Sequence, residues 1–95
     1  MDEQARSVEI VVRGRVQGVG FRYSTVDEAR AVGVRGWIRN EADGSVRIAA
    51  AGTPEQIEAL KRWCGHGPAR ARVDDLEVVP RDGGSDLPLP FEVRR

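Results

Sequence analysis

Sulfur is scarce in this sequence. Its 95 residues include one cysteine, Cys64. A single thiol cannot build an internal disulfide framework, and it suits a reducing compartment. Long hydrophobic runs are missing too, none approaching the roughly 20 residues that span a bilayer. The N-terminus, Met1-Asp2-Glu3-Gln4-Ala5-Arg6, is charged and lacks the apolar core of a secretion signal. A cytoplasmic location without a membrane partner is expected. There is also no excess of either charge, because fifteen basic and fifteen acidic side chains cancel. That balance argues against a general nucleic-acid binder, which would carry a strong basic surplus. It still permits one local positive pocket. Lysine is nearly absent, Lys61 being the only one, so almost every cation is an arginine. Histidine is equally rare. His66 lies in Gly65-His66-Gly67-Pro68 with no ligand partners at metal-site spacing, so a solvated turn residue is expected.

What is present falls into short periodic segments. The length sets one domain with a modest core, residues 7–95, behind a disordered tail over residues 1–6. Val8, Ile10 and Val12 alternate with Glu9, Val11 and Arg13, the pattern of a strand with one apolar face. Val26, Ala29 and Val32 recur at three-residue steps as on an amphipathic helix, and Gly33 is placed to stop it. Val34 to Asn40 reads as a second strand and Val46 to Ala50 as a third, with Asp43-Gly44 marking the hairpin between them. A second helix starts with Thr53 as N-cap, Pro54 at the first helical position and Gln56 completing a capping box. Ile57, Leu60 and Cys64 then share one helix face, which makes Cys64 a buried structural thiol rather than a nucleophile. Ala71 to Val79 forms a fourth strand whose alternation slips at Asp74-Asp75, the sign of a bulge. Pro80 to Pro90 is loop, and Phe91-Glu92-Val93 a short fifth strand. The order β-α-β-β-α-β, plus a short C-terminal strand, predicts an α+β, ferredoxin-like split β-α-β sandwich. Its antiparallel sheet would carry both helices on one face.

The chemistry concentrates in the first crossover, Gly14-Arg15-Val16-Gln17-Gly18-Val19-Gly20-Phe21-Arg22. Three glycines in seven positions let backbone fold tightly and approach a ligand closely. A strand-to-helix loop aims several amide N–H groups at one spot, where the helix dipole favours negative charge. Arg22 adds a guanidinium suited to phosphate or carboxylate. An anion cradle is the reading. It is neither a Walker loop, which would need Gly-Lys-Ser/Thr, nor a dinucleotide fingerprint, because Tyr23 stands where the third glycine belongs. Gln17 either braces this loop against backbone or lines its pocket. Ser24 is expected to cap or hydrogen-bond within the first helical turn. Arg13, Arg15, Arg35, Arg39 and Arg47 alternate with apolar positions on strands, as on a mixed solvated sheet face rather than a nucleic-acid surface.

The segment from Gly14 to Arg22 resembles the first signature of the acylphosphatases. Gly36-Trp37-Ile38-Arg39-Asn40, followed by Asp43-Gly44, Val46 and Gly52, resembles their second. The resemblance spans roughly Val8 to Val79. It departs at Ile38, where the family usually has a smaller residue, and in a longer acidic stretch from Asp82 to Pro90. It implies hydrolysis of a small-molecule acyl phosphate without metal or cofactor. Nothing in the sequence demands more than a monomer. By the same resemblance Arg22 binds the phosphoryl oxygens, and the backbone N–H groups of Arg15, Val16, Gln17, Gly18, Val19, Gly20, Phe21 and Arg22 complete the cradle. Asn40 orients the attacking water. The rival reading is a non-catalytic phosphate-binding module of the same fold. Arg22 and Asn40 occurring together favour the enzyme.

Overall fold

The computed structural model describes residues 5–95. The elements run β1 (Arg6–Arg15), α1 (Phe21–Val32), β2 (Arg35–Asn40), β3 (Val46–Gly52), α2 (Pro54–Cys64), β4 (Arg72–Pro80) and β5 (Glu92–Val93). Of the tail expected over residues 1–6, residues 1–4 lie outside the described residues. Arg6 is already strand, paired with Gly52. The sheet order is β4-β1-β3-β2-β5. Its first four strands are antiparallel, whereas β5 joins parallel to β2, through Trp37–Glu92 and Ile38–Val93. The sheet is therefore mixed, because the chain returns from the long loop to enter β5 in the same direction as β2.

The alternation read from the sequence decides which side chains meet. Ile10 and Val12 of β1, Ile38 of β2, and Val46, Ile48 and Ala50 of β3 point to one face. There they meet Phe21, Val26 and Ala29 of α1 and Ile57, Leu60 and Cys64 of α2. Ile38 is fully buried between Ile48 and Val93, so the larger side chain is absorbed by the core. The capping box on α2 is complete: Gln56 N–H donates to Thr53 Oγ1 at 3.1 Å, and Thr53 N–H to Gln56 Oε1 at 2.9 Å. Gln56 Nε2 also donates to Val32 O at 3.1 Å, tying the start of α2 to the end of α1.

The other face carries charge and a smaller apolar cluster. Arg47 pairs with Glu9 at 2.6 Å, Arg39 with Glu41 at 2.6 Å, and Arg13 with both Asp75 and Glu77 at 3.1 and 3.2 Å. The Arg13 pairs are exposed and the other two partly buried; a surface pair stabilises by a few tenths of a kcal/mol, up to about 1. Their larger effect is to neutralise the sheet arginines, as expected for a mixed solvated face. The loop after β4 folds back over this face. Leu87 packs with Trp37, Ala49 and Ala51, while Arg35 Nε donates to Leu87 O at 2.8 Å and Gly36 N–H to Pro88 O at 2.8 Å. The expected bulge is present. Arg13 pairs with Asp75 but Gly14 with Val73, leaving Asp74 as the extra residue.

Candidate active site

Five residues, Val16 to Gly20, connect β1 to α1. Val16 and Val19 turn inward and anchor the loop in the core. Gly18 and Gly20 have φ of 76° and 82°, the left-handed region that costs other L-residues about 1–2 kcal/mol. A Cβ built on either would find no atom within 4 Å. Neighbouring atoms therefore do not require glycine here. Backbone conformation does, and open space remains beside the loop. Gln17 resolves in favour of the brace. Its Nε2 donates at 2.9 Å to both Glu41 O and Ser45 O, locking the loop to the β2–β3 turn. That turn is itself fixed by Asp43, whose carboxylate accepts from Ser45 N–H at 2.9 Å and Ser45 Oγ at 2.6 Å. Those two bonds hold the Asp43 carboxyl below its ordinary range.

Helix α1 begins without a side-chain cap, since its N-cap is Gly20, and its first turn holds no acidic residue. The cap or first-turn bond expected of Ser24 is made instead by Thr25, whose Oγ1 donates to Phe21 O at 2.7 Å inside the helix. The first amides of α1 are thus left to whatever occupies the adjoining space, with the positive end of the helix dipole behind them. Arg22, in this turn, is half-buried and makes no ion pair or side-chain hydrogen bond among the described residues. It lies 5.7 Å from the centre of the Tyr23 ring. The sheet arginines that pair with carboxylates differ from it in that respect. Asn40 ends β2 opposite Val46. Its Oδ1 is buried with no hydrogen-bond partner among the described residues, an arrangement that ordinarily costs about 1–3 kcal/mol.

These features meet in one hollow of about 190 Å³, lined by Val16, Gly18, Gly20, Phe21, Arg22, Tyr23 and Asn40. Of the eight cradle positions, Val16, Gly18, Gly20, Phe21 and Arg22 border it. Arg15, Gln17 and Val19 do not. Arg15 is exposed at the end of β1, Gln17 faces the turn and Val19 faces the core. Tyr23 was not singled out by the sequence, although its place beside Arg22 was the available signal. A larger hollow, about 390 Å³, lies at the opposite end of the sheet between Arg6, Arg35, Gly84 and Leu89. Of the other reactive side chains, Cys64 is fully buried and its thiol is pushed up to about 12 by burial. His66 is exposed in its turn with Nδ1 3.0 Å from Gly67 O. No three His, Cys, Asp or Glu side chains gather at metal-ligating distance among the described residues. No helix among them is long and apolar enough to cross a membrane.

The architecture defines the class first: a ferredoxin-like α+β sandwich with a polar hollow where the first crossover meets the end of β2. Comparison with known proteins then gives the family. The family model described as acylphosphatase matches residues 8–87. An acylphosphatase of Anaeromyxobacter sp. strain Fw109-5 is 55% identical over 94 residues, covering 99% of both chains. Among solved structures, the Bacillus subtilis acylphosphatase superposes with a TM-score of 0.88 at 31% identity, covering 94% of this chain and 98% of that one. The Coxiella burnetii acylphosphatase gives 0.85 at 30%, covering 98% and 96%. The chain belongs to the acylphosphatase family of hydrolases.

Proposed function

We propose that the chain hydrolyses the carboxyl–phosphate bond of acyl phosphates, using Arg22 and the loop amides as a phosphate cradle and Asn40 to position water. Water attacks phosphorus, the bond from phosphorus to the acyl oxygen breaks, and the carboxylate leaves with the electron pair. One observation carries this reading. Arg22, which makes no ion pair or side-chain hydrogen bond among the described residues, and Asn40, whose buried Oδ1 has no partner among them, border the same small hollow as an uncapped helix start. The guanidinium and amides suit the three phosphoryl oxygens, whose charge spreads in the transition state. An Asn40 Oδ1 that accepts a hydrogen bond from a water O–H aims that water's lone pair, a gain in positioning rather than in basicity.

No metal or general acid is needed for departure, because a carboxylate with a pKa of about 4 leaves as an anion. No carboxylate or imidazole borders the hollow among the described residues. The proton of the attacking water is therefore assigned to a phosphate oxygen of the substrate or to the departing carboxylate. We further read the protein as a cytoplasmic monomer. Its thiol is free, and Tyr23, Val79 and Leu89 are the large apolar side chains exposed among the described residues, too few for an obligate interface. The roles are separated by two variants. Arg22→Ala loses both inhibition by inorganic phosphate and turnover, whereas Asn40→Ala loses turnover and keeps phosphate inhibition. Equal loss of phosphate affinity in both variants would remove the division of labour.

A further inference from the structure

The hollow is small. At about 190 Å³ it falls below the roughly 300–1,000 Å³ of clefts that enclose drug-sized ligands. Its polar groups are those that suit the phosphoryl end of the substrate, so the acyl portion has to lie at the rim. The apolar side chains bordering the hollow divide sharply by exposure. Val16 and Phe21 are each 1% exposed and belong to the floor, packed into the main core. Tyr23 is 66% exposed, an aromatic ring standing in solvent directly beside Arg22. An exposed ring at the mouth of a phosphate-sized hollow offers apolar area that a phosphoryl group cannot use and an acyl group can.

We propose that Tyr23 is a specificity-determining residue, a platform on which the acyl group of the substrate packs, so that aromatic and long apolar acyl phosphates are preferred over short ones. The inference rests on the acyl phosphate hydrolysis proposed above. Its physical basis is burial of carbon surface and ring-on-ring packing, in which offset and edge-to-face geometries both contribute. An acetyl group has one methyl to place against the ring, whereas a benzoyl group has a whole face. The alternative role for the same ring is to hold the Arg22 guanidinium by a cation–π contact. That role would affect every substrate equally, because every substrate carries the phosphate.

The test compares kcat/KM for benzoyl phosphate and acetyl phosphate in wild type, Tyr23→Ala and Tyr23→Phe, with inhibition by inorganic phosphate measured in each. Circular dichroism checks the fold, which an exposed side chain should not disturb. In Tyr23→Ala the ratio of benzoyl to acetyl kcat/KM falls about three- to ten-fold, the loss residing mainly in KM for benzoyl phosphate, while phosphate inhibition changes by less than about two-fold. Tyr23→Phe, which keeps the ring, retains the wild-type ratio. A parallel fall for both substrates with weakened phosphate inhibition would overturn the platform in favour of an Arg22 brace. An unchanged ratio in Tyr23→Ala would overturn it as well. Failure of wild type to hydrolyse either compound would instead remove the proposed reaction itself, and the platform with it.

Discussion

Replacing Gln17 with alanine should loosen the loop without touching any group that faces the hollow. The amide bridges β1–α1 to β2–β3 through two 2.9 Å hydrogen bonds, to Glu41 O and Ser45 O. Both carbonyls keep a backbone partner when Gln17 is removed. Glu41 O still accepts from Gly44 N–H at 3.1 Å, and Ser45 O from Glu41 N–H at 2.9 Å. No carbonyl is stranded, so each lost bond is worth the modest net value of about 0.5–1.5 kcal/mol, and the pair about 1–3. For a domain of this size that lowers Tm by about 4–24 °C. The effect on turnover is larger in proportion. The bridge ties the loop to the turn that follows Asn40, and under the proposed roles a displacement of about 1 Å between the cradle and the water-positioning group can cost a hundred-fold. We expect kcat on benzoyl phosphate to drop at least ten-fold. Gln17→Glu is the sharper variant, because at neutral pH it sets a carboxylate oxygen against two carbonyl oxygens. It should be less stable than Gln17→Ala by thermal or urea unfolding. A Gln17→Ala protein with wild-type Tm and kcat, or a Gln17→Glu protein no less stable than the alanine variant, would refute the bridging argument.

Cys64, fully buried with its thiol pushed up to about 12, should resist a thiol reagent at pH 8 in the native protein and react at once in denaturant. Rapid native labelling would contradict its place in the core. Asp43, Glu58 and Asp74 are all held below their ordinary values, by hydrogen bonds from Ser45, Lys61 and Arg72 respectively. Because their folded pKa values are depressed, the stability they contribute is present above about pH 4 and is lost as the pH falls through the folded values. Urea midpoints should therefore decline below about pH 4, and Asp43→Asn should flatten that decline. An acid limb unchanged in Asp43→Asn would count against the turn's contribution.

Much of this structure was legible because local chemistry and global fold agree. Val8, Ile10 and Val12 could be assigned to one face from period-2 alternation, and the bulge at Asp74-Asp75 from the point where that alternation slips. Thr53, Pro54 and Gln56 fixed the start of α2 because an N-cap is satisfied within four residues. The hollow was half legible. Arg22 and Asn40 were identified through two motifs, and the structure brings them to one cavity. What could not be read depends on contacts far apart in sequence. The anchors of Gln17 lie 24 and 28 residues away, and no local pattern announces a carbonyl. The parallel pairing of β5 with β2 depends on how the loop after β4 crosses the sheet, where Leu87 finds Trp37 and Ala51. Tyr23 is the opposite case. Its place beside Arg22 is plain in the sequence, but its exposure beside a cavity is a property of three dimensions.

The central claim is that Asn40 positions the water for a reaction that needs no metal. It is tested most directly by hydrolysis of benzoyl phosphate by wild type and Asn40→Ala, each with and without EDTA. Wild type should turn over rapidly and be unaffected by EDTA, and Asn40→Ala should lose turnover while inorganic phosphate still binds. Substantial hydrolysis by Asn40→Ala, or wild-type activity abolished by EDTA, would contradict it.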